Sequence, residues 1–280
     1  MNCFLFPGQP LQRNASLPGD DDWNALTALC RQHTCFDPDT WSWSGIEGNG
    51  DVALQIYGVA TSLHGTRLLK KAGVKPRILA EHSMGIYPAL ACCGSLSEGE
   101  ALELTCRAGL TMSMAGSGEF ALGCVIGLTL EPVLAIAENN GVYLANHNTC
   151  RHFLLSGEQR AIEEAMTEAT CCGAFSARVF SCDAPLHTPL LAAREDALRE
   201  VFGDYHYREP SVPLMNHLDQ DFLAAGDLAD FMMRELLLPV HWEQTYRALR
   251  AGGATGFFEV GSGDSLKKYN RWIDSQPARK

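Results

Sequence analysis

The chain has 280 residues, 46% of them hydrophobic, enough to bury a large core as one domain or as one domain with an insertion. Its 33 acidic residues against 22 basic ones give a net charge of -11, which argues against nucleic acid as a general partner. No apolar run approaches the ~18 residues needed to span a bilayer, so no membrane is expected as a partner either.

Met1-Asn2-Cys3-Phe4-Leu5-Phe6 lacks a basic leader and stops at Pro7-Gly8, so it reads as a first strand and not as a signal peptide. The turn-rich segment that follows puts Gln9 at the carboxyl end of that strand, the edge where open α/β sheets bind ligands. A helix is expected near Trp23 to Cys30, and the polar, Gly-rich stretch 44–50 carries no chemistry. Asp51 reads as a cap leading into Val52, Ile56, Val59 and Leu63, one buried helical face that ends at Gly73. Gln55 on that helix reads as a surface or capping residue.

After the Lys75-Pro76-Arg77 break, Ile78-Leu79-Ala80-Glu81-His82-Ser83-Met84-Gly85 runs from an apolar strand straight into a helical pattern. That is the sequence form of a nucleophile elbow: the sharp turn holds the Ser83 hydroxyl clear of the backbone and leaves the Met84 amide free where an oxyanion can form. Small residues normally flank such a serine two positions away on either side; Gly85 fits and Glu81 does not. Ser97 with Glu100 predicts a capping box for a helix through Arg107. Glu103, four residues earlier, gives Arg107 the reading of a solvated ion pair.

The pattern changes at Gly116-Ser117-Gly118. Strands over 120–126, 142–145, 153–155 and 175–180, with helices over 130–137 and 158–169, make β-α-β-β-α-β, the ferredoxin-like order. The predicted division is a large α/β domain from 1–117 and 184–280 with an inserted subdomain over 118–183. The chain returns through Pro185-Leu186-His187-Thr188-Pro189, which places His187 on a rigid connection at the sheet edge. A helix over 190–202, a strand over 212–215, a helix over 231–238 and a last strand at 257–259 follow, with Trp272 just before a polar, frayed tail. The eleven cysteines lack metal-ligand spacing and read as reduced core residues of a cytoplasmic protein, with no metal expected.

Together, Phe-Pro-Gly-Gln (6–9), His-Ser-x-Gly-x-Tyr (82–87), Arg107, Asn146-His147-Asn148, Pro185-Leu186-His187, Leu238-Pro239-Val240-His241-Trp242 and Glu259-Val260-Gly261-Ser262-Gly263 resemble, in order and spacing, the malonyl-CoA:acyl carrier protein transacylases. The resemblance covers nearly the whole chain. It implies an α/β-hydrolase-like parallel-sheet core with an inserted ferredoxin-like subdomain, and a ping-pong transfer from an acyl-CoA to an acyl carrier protein. By the same resemblance Ser83 is the nucleophile and His187 the general base, oriented by the backbone carbonyl of Glu235. The amides of Gln9 and Met84 form the oxyanion hole, Arg107 grips the malonyl carboxylate, and Gln55, Asn148 and Leu186 line the pocket.

No metal or redox cofactor is implied. Lys70, Lys71, Lys75 and Arg77, or Lys267, Lys268 and Arg271, are the basic clusters available to an acidic carrier protein. Glu81 in place of glycine, Ile86 in place of an acidic or amide residue, and Leu186 in place of serine depart from the family. Glu81 is expected either to disturb the elbow or to point outward and repel CoA. Competing readings are an editing acyl hydrolase of the same fold, the malonyl transferase of a malonate decarboxylase, and a catalytically silent assembly subunit.

Overall fold

A computed structural model describes residues 1–115 and 119–276. The predicted break at 116–118, and with it the first domain boundary, lies outside the described residues, as do the last four residues of the tail. The first half runs β1 (Asn2–Phe6), α1 (Asp21–Thr34), β2 (Phe36–Asp37), β3 (Ser42–Trp43), α2 (Gly50–Lys71), β4 (Ile78–Glu81), α3 (Ile86–Cys92) and α4 (Glu98–Ser113). Then come β5 (Phe120–Ile126), α5 (Leu130–Asn140), β6 (Tyr143–Thr149), β7 (His152–Glu158), α6 (Gln159–Cys171) and β8 (Ser176–Cys182). The chain closes with α7 (Glu195–Gly203), β9 (Leu214–Met215), α8 (Leu228–Leu237), α9 (Trp242–Ala251), β10 (Gly256–Glu259) and α10 (Ser265–Ser275).

Four strands form a parallel sheet in the order β10-β1-β4-β9. Its central strands are continuous apolar runs because both faces are covered. Phe4, Phe6 and Leu79 enter one core, while Cys3, Leu5, Ile78 and Ala80 enter another, the two-residue alternation of a strand. The second sheet, β6-β7-β5-β8, is antiparallel, with β5 between β7 and β8, and packs a separate core against α5 and α6. This is the ferredoxin-like unit that periodicity predicts. It is also tied to the main body: Val240 pairs with β6, its N–H donating to the Ala145 carbonyl (2.8 Å) and its carbonyl accepting from His147 N–H (2.8 Å).

Several boundaries differ from expectation for local reasons. Asn49, not Asp51, caps α2, accepting from the Val52 N–H at 2.8 Å, which frees Asp51 for other partners. The helix expected over 190–202 is a 3₁₀ segment, Pro189–Arg194, followed by α7. Trp272 lies inside α10. The Ser97/Glu100 capping box forms as predicted. No described helix is long and apolar enough to cross a membrane.

Candidate active site

Ser83 sits where β4 ends, in a single 3₁₀ turn (Ser83–Gly85) that leads into α3. Its φ of 56° lies in the left-handed region, a strained backbone for a residue with a side chain, and it is what swings the hydroxyl out of the strand. Gly85 has an ordinary φ but no room: a Cβ there would lie 2.2 Å from the Phe6 carbonyl oxygen of the neighbouring strand. His187 arrives from the far side of the insertion, also left-handed at φ 58°.

These two strained residues meet. Ser83 Oγ lies 2.7 Å from His187 Nε2, and His187 Nδ1 lies 2.7 Å from the backbone carbonyl of Glu235 in α8. A carbonyl only accepts, so the imidazole carries its proton on Nδ1 and presents a lone pair at Nε2 to the serine hydroxyl. Burial, with His217 beside it, lowers the pKa of His187 to about 3. The ring is therefore a neutral base throughout the physiological range, next to a half-buried, reachable hydroxyl.

The loop after β1 closes over this turn. A Cβ at Gly8 would stand 3.0 Å from His82 Nδ1. Gln9 is fixed by both ends of its side chain, donating to Asp51 Oδ1 (3.1 Å) and accepting from Gln55 Nε2 (3.0 Å). Asp51 also accepts from the Asp183 N–H at 2.8 Å, joining the loop to the strand that returns from the insertion. Sequence reading missed this role of Asp51 because a carboxylate at a helix start has a sufficient local explanation as a cap.

Gln55 and Leu186 line a small cavity with Asp51, Asp183, Gly109 and Met112, about 10 Å³ in volume, room for one water. Arg107 is not among its lining residues. At 3.6 residues per turn, Arg107 lies about 200° round α4 from Gly109 and faces away. Its guanidinium is committed to Asp204, donates to the Tyr205 hydroxyl (3.4 Å) and stacks over that ring at 5.5 Å. The expected pair with Glu103 does not form either, since Glu103 lies 3.4 Å from His33. Two carboxyl groups and no cation therefore line the cavity, and burial beside Asp51 raises the pKa of Asp183.

Asn148 also differs from expectation. It does not line the cavity; it is fully buried and accepts from His82 Nε2 at 2.8 Å while donating to His152 Nδ1 at 3.0 Å. It seats the nucleophile turn against the antiparallel sheet. Glu81 neither disturbs the elbow nor reaches solvent. Its side chain is 0% exposed and turns inward, where Oε1 accepts from both the backbone N–H (3.1 Å) and Nδ1 (2.7 Å) of His217. Ile86 is buried in the main core.

Burial moves the ionisable groups here toward neutrality. His82 and His152 fall to about 4 and His217 to about 3, while Glu81 rises to about 8 and Glu235 rises as well. Below pH 6.5 the unfolded chain binds protons that the four buried histidines refuse, so stability falls as pH drops from 6.5 toward 3. The raised carboxyls act in the opposite sense: their contribution is complete below about pH 4.5 and is lost as pH rises through about 8. Each group contributes a slope of up to about 1.4 kcal/mol per pH unit. Urea midpoints measured from pH 4 to 9 are expected to peak between pH 6 and 7; a midpoint still rising at pH 9 contradicts the assignment.

A family model described as "Acyl transferase domain" matches residues 51–266. A malonyl CoA-acyl carrier protein transacylase of Bacillus subtilis (strain 168) is 30% identical, over 96% of this chain and 90% of its own length. Among solved structures, the malonyl CoA-acyl carrier protein transacylase from Coxiella burnetii superposes with a TM-score of 0.90 at 27% identity, covering 98% of this chain and 91% of that one. A malonyl-transacylase solved in complex with its type II PKS acyl-carrier protein gives 0.89 at 25% identity, covering 97% and 92%.

Proposed function

Because this chain belongs to the acyl transferase family, and within it to the malonyl CoA-acyl carrier protein transacylases, we propose that it moves a malonyl group from CoA to the pantetheine thiol of an acyl carrier protein through an acyl-serine. The observation that carries this reading is the Ser83–His187–Glu235 carbonyl chain, with both hydrogen bonds at 2.7 Å. Ser83 Oγ attacks the thioester carbonyl as its proton passes to His187 Nε2. The oxyanion forms at the amides of Gln9 and Met84, where losing one donor typically costs about 2.7 to 4 kcal/mol of barrier. The C–S bond then breaks, His187 returns the proton to the departing CoA sulfur, and the acyl group remains on Ser83. In the second half, the carrier thiol gives its proton to Nε2 as its sulfur attacks the acyl-serine; the ester C–O bond then breaks, the acyl group leaves on the carrier sulfur, and Ser83 Oγ regains the proton from Nε2.

Of the two basic clusters, only Lys267, Lys268 and Arg271 suit the carrier. They lie on α10, which leaves the carboxyl edge of the parallel sheet and sets Tyr269 against His152, 4.8 Å between ring centroids. Lys70, Lys71, Lys75 and Arg77 stand at the opposite edge, where β4 begins. Charge reversal at Lys267 and Lys268 is expected to raise KM for the carrier without changing acylation by the CoA thioester.

A second reading concerns the acyl group. The Arg107–Asp204 pair favours a short uncharged acyl chain, since the guanidinium expected to meet a malonyl carboxylate is already committed. Arg107→Ala separates the two. If the guanidinium stays on Asp204, the ratio of malonyl to acetyl transfer is unchanged within about threefold. If it leaves to form a bidentate grip on malonate, malonyl transfer falls by about 10²-fold and acetyl transfer does not. Intact-mass analysis after mixing with malonyl-CoA and acetyl-CoA reads both, and names the group that persists on Ser83.

A further inference from the structure

Directly behind the serine–histidine pair lie three fully buried ionisable side chains from three separate segments. Glu81 is the last residue of β4, two positions before Ser83. His217 follows β9 at the same sheet edge, and Glu235, in α8, is the residue whose backbone carbonyl takes the His187 proton. Glu81 Oε1 accepts both N–H groups of His217, as described above, and His217 Nε2 lies 3.9 Å from Glu235 Oε2, a close approach without a hydrogen bond. The His217 ring stands edge-on to the His187 ring, 6.4 Å between centroids. Three buried atoms, Glu81 Oε2, His217 Nε2 and Glu235 Oε2, have no hydrogen-bond partner. Such groups are costly to bury, and a fold that needed only to fill this space has apolar side chains for it.

We propose that Glu81, His217 and Glu235 form a positioning network that fixes His187 relative to Ser83, with His217 bridging the strand that carries the nucleophile and the helix that holds the base. The network does for the imidazole what a triad carboxylate does elsewhere, by bracing the carbonyl that His187 donates to instead of contacting the ring. It also gives Glu81 a reason to replace a small residue: the side chain turns away from the crowded face of the elbow and spends its length on His217.

The same three residues offer one ligand atom each within 4.8 Å. The arrangement speaks against an ion there, because Glu81 Oε1 is already taken by two donors and the cluster is sealed from solvent. The titratable groups facing the network are His82 beside Glu81, Tyr87 from α3 near Glu235, Asp219 and His241 near His217, and His187 itself.

This inference rests on acylation of Ser83 by a thioester, and on neither the identity of the acyl group nor the carrier. The test is the rate at which CoA thioesters add an acyl mass to the full-length protein. If the wild type takes no acyl mass from any of them, the proposed function fails before the network is tested. Given acylation, His217→Asn and Glu81→Ala are each expected to slow it by about 10²-fold, the loss typical of a misplaced catalytic group, with KM for the thioester within about twofold. Glu81→Gln, whose amide oxygen still accepts both N–H groups, stays within about threefold, and the double variant Glu81→Ala/His217→Asn loses no more than either single one. His217→Asn also moves the acid limb of the pH–rate profile upward, because a neighbour that discourages charge on His187 is gone.

Wild-type rate and acid limb in His217→Asn, a loss confined to KM, or one equivalent of tightly bound divalent metal in the purified wild type each overturn the proposal. Should the two disruptive variants fail to fold, ¹⁵N NMR of the histidines in the wild type decides. His217 protonated on Nδ1, facing Glu81, supports the network, and protonation on Nε2 refutes it.

Discussion

His187→Ala is expected to slow acylation of Ser83 by about 10²- to 10⁴-fold while leaving the fold intact, and Ser83→Ala is expected to abolish the acyl-enzyme altogether. The size of the first effect follows from geometry: among the described residues, the imidazole is the base within hydrogen-bond reach of the hydroxyl, and its proton is already committed elsewhere, to the Glu235 carbonyl. Without it, the serine must lose its proton to water. A residual rate supported by the oxyanion amides alone remains measurable, so the two variants differ in kind. Ser83→Ala shows no added mass at any time, whereas His187→Ala accumulates it slowly with malonyl-CoA. A His187→Ala protein acylated at the wild-type rate removes the base from the mechanism.

Gly85→Ala is expected to produce the largest loss of stability of any single methyl addition near the site, about 3 kcal/mol or more, at the upper end of what overpacking costs. The added carbon falls 2.2 Å from the Phe6 carbonyl oxygen and 2.8 Å from its carbonyl carbon. Both belong to the central strand of the parallel sheet and cannot rotate away as a side-chain tip can. At Gly58, by contrast, the crowding atoms are Pro10 Cδ of the loop after β1 (2.7 Å) and the flexible end of Met84 (2.8 Å), neither of them strand backbone. Thermal or urea unfolding of Gly85→Ala beside Gly58→Ala checks the contrast. Similar losses in the two mean that the strand, too, can yield.

The parts of this protein legible in sequence are those in which local chemistry and tertiary position coincide. The elbow, the capping box at Ser97 and Glu100, the β-α-β-β-α-β order of the insertion, and the His187–Glu235 pairing implied by family resemblance all have partners set by backbone geometry. Arg107 shows where that stops. Its place in α4 is plain from sequence, but which way it points is a matter of one residue's rotation about the helix, and it faces Asp204 and Tyr205 just beyond α7. Asn148 sits close to the nucleophile, where its amide oxygen accepts from His82, a partner that local sequence does not reveal. Glu81 looked like a defect because its partner, His217, is 136 residues away and no local rule connects a strand-end carboxylate with a histidine after another strand.

The pairing of Val240 with β6 bears on how divisible this molecule is. An insertion joined only at its two ends can be excised and its stump closed with a short linker. Here, deletion strips the Val240 amide and carbonyl of their mates, and with Asn148 gone His82 loses the acceptor for its Nε2 proton. A minimal enzyme made by trimming the chain to its parallel sheet would thus lose the scaffolding of its own nucleophile.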